Sequence, residues 1–307
     1  MRALNQHPEV LAVEQRLFGN FCELWPDADG SHRARQTWDY VLQNFGHHYA
    51  ESHLGPQPSA AERSAFQTEL NAAFFAHLLR FGLQRSGKRV VVDKVTPYLG
   101  TAGTVLGQIA KYFPQAKIIY LLRDGRDVAT SGAFDWLARG DAQSPAYRYF
   151  VEHSTNSFPP RLFDDDFLAQ WCRYWKEPAA ALDHRRQQGH LSDDRILTVR
   201  YEEMLTDQAA VLQTICRFLQ LESTDSVCQR CSAAVTFEKT TTRQPGQADP
   251  IAKARKGVHG DWQNYFTRHD AQIFQEHCGH WLHRYGYSSR PDWVQQCPDV
   301  LSSPTKP

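Results

Sequence analysis

The chain has 307 residues, 41% of them apolar and 22% charged, with 34 basic against 34 acidic side chains. That balance suits a globular protein of one or two domains with a sizeable core, and argues against a broad nucleic-acid or polyanion surface. A small basic pocket remains compatible with it.

In chain order, Val10–Val13 is a short apolar run that reads as a strand ending at Glu14. Ser31–Phe45 reads as a helix, and Gly55-Pro56-Gln57-Pro58 as a break. Ser59–Leu83 carries Phe66, Leu70, Phe74, Leu78 and Leu79 at helical spacing. Val90–Val92 is a β-branched strand leading to Asp93-Lys94, and Thr101–Phe113 a helix. Lys117–Leu122 is the next strand and Arg126–Leu137 the next helix.

Residues 140–165 are polar and irregular, as expected of an insertion or lid. Asp166–Gln188 follows as a long amphipathic helix, with Trp171 and Trp175 four apart as core residues. Arg195–Val199 is a strand, Asp207–Leu219 a helix, Arg243–Lys256 a Pro- and Gly-rich mobile loop, and Asp270–Arg284 a last helix. Residues 291–307 read as a tail.

Strands alternating with helices predict an α/β fold, a parallel sheet flanked by helices on both sides. Ligands bind such a sheet at the carboxyl ends of its strands. Glu14, Lys94, Arg123 and Tyr201 each follow a strand.

Two segments carry the chemistry. Residues 123–131 read Arg-Asp-Gly-Arg-Asp-Val-Ala-Thr-Ser, a strand running into a helix with a guanidinium at the junction. Free backbone N–H groups and the helix dipole make such a junction an anion site, and the arginine fork matches phosphate. Far downstream, residues 255–262 read Arg-Lys-Gly-Val-His-Gly-Asp-Trp. Two cations beside two glycines suit a backbone that approaches an anion closely.

Together these segments resemble the sulfotransferases that use 3′-phosphoadenosine 5′-phosphosulfate (PAPS), from Leu4 to about Tyr287. The resemblance implies a single domain over residues 1–290, with a helical insertion at 31–85. It also implies a P-loop-containing nucleotide hydrolase-like architecture whose first strand and loop are missing.

By the same resemblance, Arg123, Ser131, Arg255, Lys256 and Gly257 hold the 3′-phosphate of the nucleotide. Tyr201 touches the adenine region and Phe237 packs on the ring. Lys94 contacts the transferring group, although Val95 is an extra residue relative to the commonest Lys-Thr-Pro form. The stretch His7–Glu14 resembles tyrosylprotein sulfotransferases, where a glutamate at this spacing is the general base; this makes Glu14 the candidate. Read bottom-up, Lys94 also fits a snorkelling surface residue and Glu14 an ion pair with Arg16, and His47, His48 and His53 are other bases.

The family normally opens with a strand and an Arg-Ser-Gly-Thr-like loop around the 5′-phosphosulfate. Here no glycine precedes Gly19, and Met1-Arg2-Ala3-Leu4 reads as the interior of a helix, so either the chain begins late, which is the expectation, or this form has lost that loop. The implied activity is sulfuryl transfer from PAPS to a hydroxyl or amine of a small-molecule, carbohydrate or peptide acceptor, with no metal and no nucleic acid. A non-catalytic binder of PAPS or of 3′-phosphoadenosine 5′-phosphate (PAP), and a nucleotide kinase, are the alternatives. No stretch reaches bilayer length. The seven scattered cysteines read as reduced thiols in a cytoplasmic protein, with Cys228-x-x-Cys231 as two thiols on one helical turn.

Overall fold

The structure, a computed structural model, describes residues 1–14, 59–96, 101–138, 161–247 and 255–301. The helix expected over 31–45, the break at 55–58 and the span 140–160 lie outside the described residues. In chain order come β1 (Val10–Glu14), α1 (Ala60–Ser86), β2 (Val90–Lys94), α2 (Ala102–Tyr112), β3 (Ile118–Leu122) and α3 (Gly125–Ala138). They are followed by α4 (Asp165–Gln187), β4 (Ile196–Arg200), α5 (Tyr201–Thr206) and α6 (Gln208–Leu219). The last helices are α7 (Asp225–Ala233), α8 (Phe237–Thr241) and α9 (Arg268–Arg284). The expected α/β class is the one observed, with β1 parallel to β2 and β3 paired with β4.

The chain divides into two compact units. The first holds Met1–Ile119, Ala181–Leu197 and Leu212–Ala234. Its β1–β2 pair runs in register from Val10 beside Val90 to Glu14 beside Lys94. Ser59 starts α1 through a capping box: its hydroxyl accepts from the Glu62 N–H, and the Glu62 carboxylate accepts from the Ser59 N–H at 2.8 Å. Gly87, left-handed at φ 66°, ends that helix. Phe75 of α1 packs its ring 5.8 Å from Tyr112 and 5.5 Å from Phe113, at the end of α2.

The first residues do not form the helix interior expected of them. Leu4–Gln6 is a single 3₁₀ turn, and His7 leaves it extended at ψ 134°. Pro8 disfavours helical geometry at His7. The buried His7 ring donates from Nε2 to the Glu222 carbonyl (2.9 Å) and accepts the Glu9 N–H at Nδ1 (3.2 Å), which fixes its tautomer. Cys216, Cys228 and Cys231 line a small apolar void beside it, and Cys228 and Cys231 sit one helical turn apart on α7 as expected.

The second unit holds Tyr120–Ala180, Thr198–Val211 and Val235–Pro307. Its core joins Leu122, Phe167, Trp175, Phe266, Phe274 and Trp293, among others. Helix α3 lies close against α4: a Cβ at Gly132 would stand 2.1 Å from the Trp171 ring. Trp175 also donates its indole N–H to the Arg123 carbonyl (2.8 Å), so the expected core role of the two tryptophans includes bracing the end of β3.

Residues 291–301, assigned to a tail from the sequence, differ from that reading. Pro291–Gln296 forms a 3₁₀ helix, and Trp293, Val294, Cys297 and Leu301 are buried in the core. A 3₁₀ turn started by proline carries no 3.6-residue periodicity, which is why its burial left no pattern.

Candidate functional site

Chain geometry at the end of β3 separates two arginines that look equivalent in the sequence. The Asp124 carboxylate accepts the Arg126 backbone N–H (2.9 Å) and side-chain Nε (3.0 Å) on one oxygen, and NH2 (2.7 Å) on the other. Arg126 also donates to the Tyr287 carbonyl. Its guanidinium lies over the rings of both Trp262 (3.9 Å) and Trp293 (4.6 Å). Arg126 is thus consumed by the fold.

Arg123 is not. Its guanidinium lies 4.7 Å over the Tyr201 ring, the residue that follows the paired strand β4. Its Nε is buried and has no hydrogen-bond partner among the described residues. A buried donor without an acceptor costs about 1–3 kcal/mol, so the position suits a group that brings an acceptor with it. Glu202, beside Tyr201, accepts the Asp124 N–H (2.9 Å) and the Tyr287 hydroxyl (3.0 Å), tying the two strand ends together.

The second motif, residues 255–262, forms a strap across α3. Asp127, in the first turn of α3, accepts the Gly260 N–H at 2.7 Å and the Trp262 N–H at 2.9 Å. Arg255 places its guanidinium 4.4 Å from the Phe134 ring, and Tyr265 lies 5.5 Å away on its other contact. Asp127, Ser131 and Phe134 are four and three residues apart and therefore share one face of α3. Ser131, half-buried, thus sits between two points where the strap touches the helix.

Within the strap, Asp261 accepts from the Lys256 ammonium (2.7 Å), the Arg255 guanidinium and the Asn264 amide (2.9 Å). Burial pushes the Asp261 carboxyl up, but Lys256 and Arg255 outweigh it and hold the group below its ordinary value. Asp127 goes the other way: burial dominates over the Arg123 charge and the two amides, and raises it. Gly257 is left-handed at φ 66°, and a Cβ there would meet the Phe237 ring at 2.5 Å. Arg243 also packs on Phe237 (5.5 Å), and its NH1 donates to the Arg255 carbonyl (2.7 Å). The Arg243–Lys256 segment, expected to be a mobile loop, has its described ends joined by the Gly246 N–H to Lys256 carbonyl bond (2.8 Å).

Arg123, Ser131, Tyr201, Phe237, Arg255, Lys256 and Gly257 all fall in the second unit. Sequence reasoning missed Asp127, Asp261, Glu202 and the structural use of Arg126. Asp127 stands four residues before Ser131, but its backbone partners carry no signal in the sequence. A cavity of about 470 Å³ opens nearby, with Asp124, Asp127, Glu202 and a single guanidinium, Arg126, in its wall. Three carboxylates against one paired cation make it a poor place for phosphate. Arg123, Ser131 and residues 255–257 are not in its wall.

In the first unit, Glu14 and Lys94 close β1 and β2 as register partners, so the two strands deliver them to the same edge. Lys94 is half-buried. Among the described residues no group of three or more histidine, cysteine or carboxylate side chains is placed to hold a metal ion, and no helix is long and apolar enough to cross a membrane.

A family model described as the sulfotransferase domain matches residues 105–286, more than half of the chain. The chain belongs to the sulfotransferase domain family. Sulfotransferase 2A6 of Mus musculus is 26% identical over 205 residues, covering 62% of this chain and 66% of that one. The chain thus spans just under two thirds of the length of that curated relative.

Among solved structures, mouse sulfotransferase SULT7A1 complexed with PAP aligns at 20% identity with a TM-score of 0.42, over 70% of this chain and 72% of that chain. A sulfotransferase from Alicyclobacillus acidocaldarius aligns at 14% identity with a TM-score of 0.47, over 95% and 91%. The family match begins within α2 and ends after α9, so it contains β3, α3 and the whole strap of this sulfotransferase-family chain.

Proposed function

We propose that this protein transfers a sulfuryl group from PAPS to a hydroxyl or amine of a small-molecule, carbohydrate or peptide acceptor, in the cytoplasm. The observation that carries the reading is the strap on α3: two motifs more than a hundred residues apart meet on the helix face that carries Ser131, and Arg123 at the end of β3 keeps a buried donor with no partner among the described residues. What PAPS supplies when bound is the sulfuryl group. The residues fit its nucleotide part.

Arg123, Ser131 and the 255–257 backbone are assigned to the 3′-phosphate, whose charge the guanidinium fork and backbone N–H groups suit. Tyr201 and Phe237 offer aromatic faces to the adenine. Lys94 is assigned to the charge that builds on the leaving phosphate oxygen, and Glu14 to taking the acceptor proton. Sulfuryl transfer, like phosphoryl transfer, asks mainly for positioning and charge stabilisation, which matches a site of cations, a hydroxyl and backbone donors.

The test has two arms. Titration calorimetry with PAP is expected to show saturable one-site binding, lost or weakened at least tenfold in Arg123→Ala. Sulfur-labelled PAPS mixed with phenol, steroid, sugar, amine and tyrosyl-peptide acceptors is expected to yield a labelled product with at least one class. Binding of PAP with no labelled product would support the non-catalytic reading. No PAP binding at all would overturn both.

A further inference from the structure

Asp127 is almost wholly buried, at 1% exposure, yet it belongs to neither the apolar core nor the residues assigned above to the nucleotide. Both of its carboxylate oxygens are used, Oδ2 by the Gly260 N–H and Oδ1 by the Trp262 N–H. Both donors are main chain, so the bonds hold the backbone of the strap whatever its side chains do. Two attachment points also fix orientation, where one would leave the strap free to pivot.

Gly257 lies three residues before the first of those donors, and Ser131 lies one helical turn beyond Asp127 on the same face of α3. The separation between the Gly257 backbone and the Ser131 hydroxyl is therefore set through Asp127. Asp261 adds a second constraint by holding Arg255 and Lys256 from within the strap. Its carboxylate bonds run to Arg255, Lys256 and Asn264, so it shapes the strap while Asp127 places it.

We infer that Asp127 is a positioning residue that makes the site selective for nucleotides bearing a 3′-phosphate, by seating the strap on α3 at the distance that phosphate spans. This rests on the nucleotide assignment proposed above. A purely structural carboxylate would support every ligand alike. A seat for the strap matters only to the group that the strap contacts, and so should discriminate between PAP and adenosine 5′-phosphate, which lacks the 3′-phosphate.

Asp127→Asn keeps the size of the side chain but turns one acceptor into a donor facing an N–H. Calorimetry on the wild-type protein and this variant, with PAP and with adenosine 5′-phosphate, is the measurement. The wild type is expected to prefer PAP. The variant is expected to lose at least tenfold in PAP affinity while adenosine 5′-phosphate stays within about twofold, so that the preference collapses. An unchanged preference, or equal weakening of both nucleotides, would overturn the inference.

A wild type that binds neither nucleotide, or does not favour PAP, would instead overturn the proposed function. If the variant fails to fold, hydrogen–deuterium exchange on the wild type decides. PAP, and not adenosine 5′-phosphate, should slow exchange of the amides in 255–262; no difference between the two would refute the role.

Discussion

Gly257 shows how much can rest on a missing side chain. Its backbone sits at φ 66°, where an L-residue loses roughly 1–2 kcal/mol, and the Phe237 ring fills the space a Cβ would need. Gly257→Ala should therefore push Phe237 aside and tilt the strap. We expect PAP affinity to fall about tenfold or more, with a lower melting temperature, by calorimetry and thermal denaturation; full affinity would contradict the assignment of both residues. The glycine was legible from its setting beside two cations. The division of labour between Arg123 and Arg126 was not, because it depends on Trp262 and Trp293, which lie far along the chain and bring their ring faces to one guanidinium only. Asp127 escaped notice for a related reason: its partners are backbone amides, and backbone partners leave no trace in residue types.

Among elements, α9 is held at its first turn by a buried capping box. Thr267 accepts the Asp270 N–H, and the Asp270 carboxylate accepts both the N–H (2.9 Å) and the hydroxyl (2.6 Å) of Thr267. Arg161 completes the cluster with bonds to the other Asp270 oxygen. Thr267→Ala removes one cap and leaves Asp270 short of a donor in a buried place, so about 1–2 kcal/mol of stability should go, read by denaturant unfolding. A loss of less than about 0.5 kcal/mol, the size typical of an exposed site, would mean the cap is idle. The long helices, including α9, were readable because apolar residues recur along them at helical spacing. The short helices α5 and α8 were not, and α7 was read only in the turn of Cys228 and Cys231: so short a run holds too few repeats to declare a period. Strand ends were placed within two residues, the largest miss being β2, expected to stop at Val92 and observed to run to Lys94.

For the molecule as a whole, the C-terminal residues 291–301 are structural. Ending the chain at residue 290 would strip Trp293, Val294, Cys297 and Leu301 from the core of the second unit and uncover one face of Arg126. At about 1.5–3 kcal/mol for each large buried apolar side chain, the loss is comparable to the stability of a typical domain. The truncated protein is expected to be insoluble or to melt far below the full chain in a fluorescence melt; an unchanged melting temperature would show that the packing contributes little. The alternation of strands and helices made the α/β class legible, whereas the burial of this last segment could be seen only once Trp262 and Trp293 met, with ring centroids 5.3 Å apart.

That meeting has a practical side. Trp262 is itself part of the strap: its amide is held by Asp127, while its indole touches both a cation and a second indole. A guanidinium near an indole alters its excited state, so any ligand that shifts the strap changes the light that Trp262 emits. Trp262 is thus expected to report nucleotide binding at the strap as a change in emission over that of the seven other tryptophans, which Trp262→Phe should abolish.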